Sequence, residues 1–258
     1  MAQKKVDKVL KVVMGIPSEG HTLPEALDNH LIHSFRVGKW EAEMKAEGRS
    51  PRYEFYWFTC GRMLTQLARE KMAEQAVAID ADYVIMYDDD MTLPPDFAQR
   101  MLETMEEHPE IDLLGALAFM RRAPYYPVLY TVQEGWDPIR NTDTYLRQYV
   151  KRYPKDKLVE CDAVGFGGVC IRGSLLKKMG KGWFMSTTYQ GEDLWFCYQA
   201  KKNHQARIFM HTGIKLGHLK DPDVIDEAFF EKWVEASGHD LGPEVPSKYE
   251  DVGEGVAR

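Results

Sequence analysis

Apolar residues in the first 120 positions alternate between two rhythms. Residues 8–16 (KVLKVVMGI), 54–59 (EFYWFT), 82–87 (DYVIMY) and 111–120 (IDLLGALAFM) are short β-branched, aromatic or aliphatic runs, the pattern of strands buried on both faces. Between them, residues 23–36, 63–78 and 94–108 carry apolar side chains at helical spacing, as at Phe97, Met101, Leu102 and Met105. Pro24 and the Pro94-Pro95 pair suit first helical turns, where a missing N–H costs nothing. The order β-α-β-α-β-α-β predicts a mixed, mostly parallel sheet flanked by helices, a Rossmann-like α/β domain.

The rhythm breaks over residues 121–157, which hold Trp136 and five tyrosines between Tyr125 and Tyr149 without clean periodicity. A long irregular segment in a compact domain points to a lid or binding platform. Order resumes at 159–172 (VECDAVGFGGVCIR), a glycine-rich strand or strand pair. A short helix through Leu175 and Leu176, a helix over 192–203, a strand over 207–210 and a last helix over 225–237 follow. No repeat or linker interrupts the chain, so one domain is expected over 1–237, with a loosely ordered tail over 238–258.

Composition narrows the class. Of 258 residues 44% are hydrophobic and 28% charged, which suits a packed domain and excludes wholesale disorder. The 33 Lys and Arg against 40 Asp and Glu give a formal charge of −7. That balance disfavours a nucleic-acid partner, although Arg121, Arg122, Lys151, Arg152, Lys155 and Lys157 could line one basic groove. No apolar run approaches the ~20 residues of a membrane span, and the four cysteines form no CxxC pair, so a soluble, cytoplasmic protein without structural zinc is expected.

Three constellations carry candidate chemistry. Asp88, Asp89 and Asp90 stand at the carboxyl end of an apolar strand. In extended backbone Asp88 and Asp90 share a face with Asp89 opposite, and paired carboxylates are hard ligands for Mg²⁺ or Mn²⁺; an acidic turn ahead of a helix is the alternative. Glu192 and Asp193 open a helix, where the dipole alone would favour them. His218 follows a strand and a glycine, a position open to a structural or a ligating histidine.

Taken in order, DADYVIMYDDDMTLP, CDAVGFGGVCIRGSLLKKMG and TTYQGEDLWFCYQAKKNHQARIFMHTGIKLGHL resemble the nucleotide-sugar glycosyltransferases of the GT-A fold, especially family 2. The resemblance runs from the first strand to about Leu219. It implies a metal-dependent enzyme that moves a sugar from a nucleotide-diphosphate sugar, foremost a UDP- or GDP-sugar, to a carbohydrate or other hydroxyl acceptor. It gives Asp90, Asp88 and His218 to a Mn²⁺ (or Mg²⁺) ion. Pro17, Ser18, Glu19, Arg69, Asp88, Asp89 and Gly167 fall to the nucleotide sugar, with Arg62 a rival to Arg69. Asp193, beside Glu192, matches the catalytic base of inverting members, and the motif leaves retention open. The alternatives are a sugar-phosphate nucleotidyltransferase, disfavoured because GIPSEGHTLPE lacks a glycine run and basic residues, and a glycosyltransferase acting on a nucleic-acid base, disfavoured by the charge of −7.

Overall fold

The computed structural model describes residues 9–18, 20, 22–49, 52–137, 142–186, 191–220 and 223–246. The elements run β1 (Val9–Ser18), α1 (Pro24–Ala46), β2 (Arg52–Gly61), α2 (Thr65–Ala78), β3 (Tyr83–Tyr87), β4 (Met91–Thr92), α3 (Phe97–Glu107) and β5 (Leu113–Leu117). They continue with β6 (Leu129–Asp137), β7 (Thr142–Tyr149), β8 (Leu158–Cys161), β9 (Ala163–Val164), β10 (Gly168–Arg172), α4 (Gly173–Met179) and α5 (Glu192–His204). The last are β11 (Ile208–Lys215), β12 (Gly217–Lys220), β13 (Asp223–Ile225) and α6 (Glu227–Ser237).

A seven-stranded sheet in the order β2-β1-β3-β10-β5-β11-β8 forms the centre. The strands β2, β1, β3, β5 and β11 run one way, while β10 and β8 run antiparallel to their neighbours. Alternation along the strands builds two cores. Val12, Met14, Ile85 and Tyr87 pack with Val37 and Trp40 of α1 and Met101 and Met105 of α3. Val13, Val84 and Met86 face Met72 and Ala76 of α2, Leu176 of α4 and Phe196 of α5. Burial of both faces explains why YVIMY is apolar without a break. The expected single α/β domain, mixed and mostly parallel, is therefore present.

Two elements differ from expectation. The first helix runs to Ala46 instead of stopping near Arg36, because Val37, Trp40 and Met44 continue its buried stripe past Gly38. Residues 121–157 are not wholly irregular: β6 and β7 form an antiparallel hairpin that also pairs with the short β9. This small sheet lies off the main one, so no two-sided core imposes an unbroken apolar run on its sequence. Beyond α6, His239 packs against Tyr126 and Trp233, and Val245 N donates to Arg152 O. No described helix is long and apolar enough to cross a membrane.

The antiparallel insertion of β10 bears directly on function. It turns the Gly-rich Phe166-Gly167 segment toward the end of β3, where Asp88 N donates to Gly167 O at 3.3 Å. At the opposite end of β10, Gly173 N donates to Asp82 O, and a Cβ at Gly173 would stand 1.9 Å from Ala81 O. That contact is with backbone, so it cannot be relieved by a rotamer change. We expect Gly173→Ala to destabilise the fold by at least the ~1–3 kcal/mol typical of overpacking, read as a lower urea midpoint. An unchanged midpoint would show that β3 and β10 are not held in this register.

Candidate active site

Six of the predicted residues, Arg69, Asp88, Gly167, Glu192, Asp193 and His218, line one cavity of about 280 Å³. It opens at the carboxyl ends of the parallel strands, where open α/β sheets bind ligands. A larger cavity, about 500 Å³ and bordered by Pro94, Lys215 and Glu227, contains none of the predicted residues. Convergent charge, and not volume, singles out the smaller one.

Arg69 is its hub. The side chain comes from α2 and is only 2% exposed, yet it meets two carboxylates: Nη2 donates to Asp88 Oδ1 at 2.5 Å and Nη1 to Glu192 Oε1. Nη2 also reaches Phe166 O at 3.4 Å, and the guanidinium carbon stands 5.4 Å from the Phe166 ring centroid. Burial raises the Asp88 carboxyl above the usual carboxylate range against the pull of Arg69. Burial would lower the Arg69 pKa, but Asp88 and Glu192 outweigh it and keep the guanidinium charged. The family resemblance gave Arg69 to the donor; in the fold it also bridges the end of β3 to α5, which a one-dimensional motif has no means of showing.

Asp193 lies in the first turn of α5, and its Oδ1 accepts from Leu194 N at 2.7 Å. Its pKa is pushed up to about 6, first by burial and then by Glu192, with Arg69 and the Leu194 N–H pulling the other way. A Cβ on the preceding Gly191 would meet Asp193 Oδ1 at 2.8 Å, so the glycine gives this carboxylate its room.

The second half of the site rests on β12. His218 pairs with Met91 of β4, and this places its ring beside Asp90. His218 Nδ1 is 2.7 Å from Phe119 O and Nε2 is 3.3 Å from Asp90 Oδ2. A carbonyl only accepts, so Nδ1 carries a proton, and Nε2 is the ring nitrogen that faces Asp90. Arg121 Nη1 approaches the same Asp90 oxygen at 2.9 Å. Burial would raise the Asp90 pKa, but His218 and Arg121 prevail and lower it. Arg121 follows β5 at the sheet edge that bears Asp88, a position that could have marked it as a site residue; the sequence reading placed it only in a basic groove.

The remaining predicted residues are dispersed. Asp88 to Asp90 form a turn, with Met91 N donating to Asp88 O at 3.2 Å, and Asp89 Oδ2 is buried with no hydrogen-bond partner among the described residues. Pro17 is buried at the end of β1. Ser18 lines a separate cavity of about 380 Å³ with Trp57 and Leu31, and Glu19 lies outside the described residues. Gly165 borders the same cavity as Gly167, and a Cβ there would meet Val128, another lining residue, at 2.7 Å.

No protein-family profile and no curated protein sequence matches the chain. Among solved structures, A197 from STIV superposes with a TM-score of 0.52 at 16% identity, over 82% of this chain and 87% of that one. The likeness is one of fold alone. GalNAc-T7, crystallised with UDP, GalNAc and Mn²⁺, superposes with a TM-score of 0.44 at 10% identity, over 90% of this chain and 48% of its own, a likeness too loose to carry any residue correspondence.

As for a metal, no three His, Cys, Asp or Glu side chains among the described residues are grouped so as to hold an ion. Asp90 and His218 nevertheless present an oxygen and an imidazole nitrogen to each other at 3.3 Å. A mixed O/N pair of this kind, once Nε2 is free of a proton, fits a divalent ion whose remaining ligands come from substrate and water. Asp88 is turned to Arg69 instead.

Proposed function

We propose that this protein is a metal-dependent glycosyltransferase that moves a sugar from a nucleotide-diphosphate sugar, foremost a UDP- or GDP-sugar, to a carbohydrate or other hydroxyl acceptor with inversion. The observation that carries the reading is that Asp193, its pKa raised to about 6, and His218, which stands beside Asp90, line one cavity. The first suits removal of a proton from an attacking hydroxyl. The second would hold Mn²⁺ or Mg²⁺, which when bound neutralises charge on a departing diphosphate.

The chain's own groups divide the remaining work. Arg69 holds Glu192, and through it the start of α5, against Asp88, so the acceptor side and the donor side are fixed relative to one another. Phe119 O orients the His218 ring. Asp88 and Gly167 border the space for the sugar, and Pro17 and Ser18 at the end of β1 are assigned to the nucleoside. Of the basic residues in the supposed nucleic-acid groove, Arg121 pairs with Asp90 and Lys155 with Glu231, while Lys151 stacks on Tyr126. The formal charge of −7 favours a small-molecule donor over a nucleic acid.

Two results test this. Nucleoside diphosphate release from a panel of UDP-, GDP-, CMP- and dTDP-sugars should require Mn²⁺ or Mg²⁺ and stop in excess chelator; release that ignores the chelator contradicts it. Because Asp193 must be ionised to accept a proton, kcat/KM should climb as pH rises through about 6 and level off above it. A flat profile from pH 5 to 7.5 would remove Asp193 from the mechanism.

A further inference from the structure

We propose that Arg121 is an exchangeable counter-cation: it occupies Asp90 until a divalent ion arrives, then passes to the donor's diphosphate. This rests on the metal-dependent reading above and assigns a residue that reading leaves unused.

The geometry gives three supports. First, Arg121 and His218 converge on one atom, Asp90 Oδ2, at 2.9 and 3.3 Å. A metal held by Asp90 and His218 needs that oxygen, so the guanidinium stands where the ion's charge would act. Second, the contact is easily given up. The Arg121 side chain is 55% exposed, and exposed ion pairs contribute little, whereas Arg69 is locked in the interior by two carboxylates. Third, the loop that bears Arg121 is pinned, so the side chain can swing without the backbone. Met120 N donates to Tyr126 O, Tyr125 N to Arg122 O and Val128 N to Ala118 O. The Tyr125 ring packs against Phe229 and Trp233 of α6.

Charge balance says where the guanidinium goes. Asp88, Asp90, Glu192 and Asp193 border the site against Arg69 and Arg121, so an entering diphosphate meets an acidic cavity. With a divalent ion held by Asp90 and His218, Arg121 would be free to meet the donor's phosphate oxygens. A planar guanidinium is suited to two parallel hydrogen bonds with such oxygens. One side chain would thus shield Asp90 in the empty enzyme and bind the leaving group in the loaded one.

The two roles predict opposite effects of a single substitution on binding alone. For Arg121→Ala, Mn²⁺ titrated by itself and read by electron paramagnetic resonance should bind about 2–5-fold more tightly than in the parent, because a competitor is gone. Inorganic pyrophosphate titrated calorimetrically at saturating Mn²⁺ should bind about 10-fold or more weakly, because a charge-assisted contact is lost. Arg121→Lys should recover part of the pyrophosphate affinity. Unchanged or weaker Mn²⁺ binding in Arg121→Ala, or unchanged pyrophosphate binding, overturns the exchange while leaving the proposed function intact, provided the parent binds Mn²⁺ and Asp90→Asn does not. If the parent fails to bind Mn²⁺ through Asp90, the metal-dependent reading falls and the exchange with it.

Discussion

Asp193→Asn is expected to transfer sugar ~10²–10⁴-fold more slowly than the parent, the usual consequence of losing a general base, and to be the more stable protein at neutral pH. The second half of that expectation follows from burial. The folded-state pKa of about 6 exceeds the ordinary 3.8 of aspartate. Between about pH 4 and 6 the folded chain therefore holds a proton that the unfolded chain has released, and stability falls as pH rises through that window. Asparagine carries no charge to bury, so the variant should gain on the order of 1–3 kcal/mol above pH 6 and little near pH 4. A carboxylate that merely favoured the start of α5 would behave oppositely, its removal costing about 0.3–1 kcal/mol with scant kinetic effect. Thermal unfolding across pH 4–8, alongside transfer rates, separates the two. A variant that is less stable at pH 7 and still active would refute the role of Asp193.

Arg69→Met is expected to lose ~3–5 kcal/mol of stability, the usual cost of removing one partner from a buried ion pair, and all measurable transfer. The loss comes less from the missing contacts than from what they leave behind: Asp88 and Glu192 would face each other's charge across a cavity with no buried cation between them. This is a large share of the ~5–15 kcal/mol that holds a domain folded. Neutralising a stranded partner should recover part of it, so the double variant Arg69→Met, Glu192→Gln should unfold at higher urea than Arg69→Met alone. Equal midpoints for parent and Arg69→Met would mean that the bridge between β3 and α5 contributes nothing, and the account of how the two halves of the site are aligned would fail.

Much of this was legible in the sequence for a simple reason. Strands buried on both faces write themselves as unbroken apolar runs, so β1, β3 and β5 and the helices between them stood out, and the Asp cluster was visible because it ends such a run. Strand direction was not legible. A buried strand has the same composition whichever way it runs, so nothing in VECDAVGFGGVCIR announced that β10 inserts antiparallel between β3 and β5. Yet that insertion is what sets Phe166 against Arg69. The hairpin of β6 and β7 was hidden because only the short β9 joins it in its sheet. At the site, Asp88, Glu192, Asp193 and His218 could be selected one by one from strand ends and helix starts. Their pairings could not: Arg69 was selected through the family resemblance, but its reach to Glu192 spans 123 positions of sequence, and Arg121 looked like one basic residue among six.

The most direct test of metal-dependent donor binding is the thermal shift given by the four nucleotide-sugar classes in Mn²⁺ and in excess chelator, for the parent and for Asp90→Asn. A ligand bound only by the folded state raises the unfolding temperature by mass action, so no acceptor need be known. The parent should be stabilised by one donor class in Mn²⁺ and by none in chelator, and Asp90→Asn by none in either. A donor that stabilises the parent equally in chelator, a full shift in Asp90→Asn, or no shift from any nucleotide sugar would contradict the account.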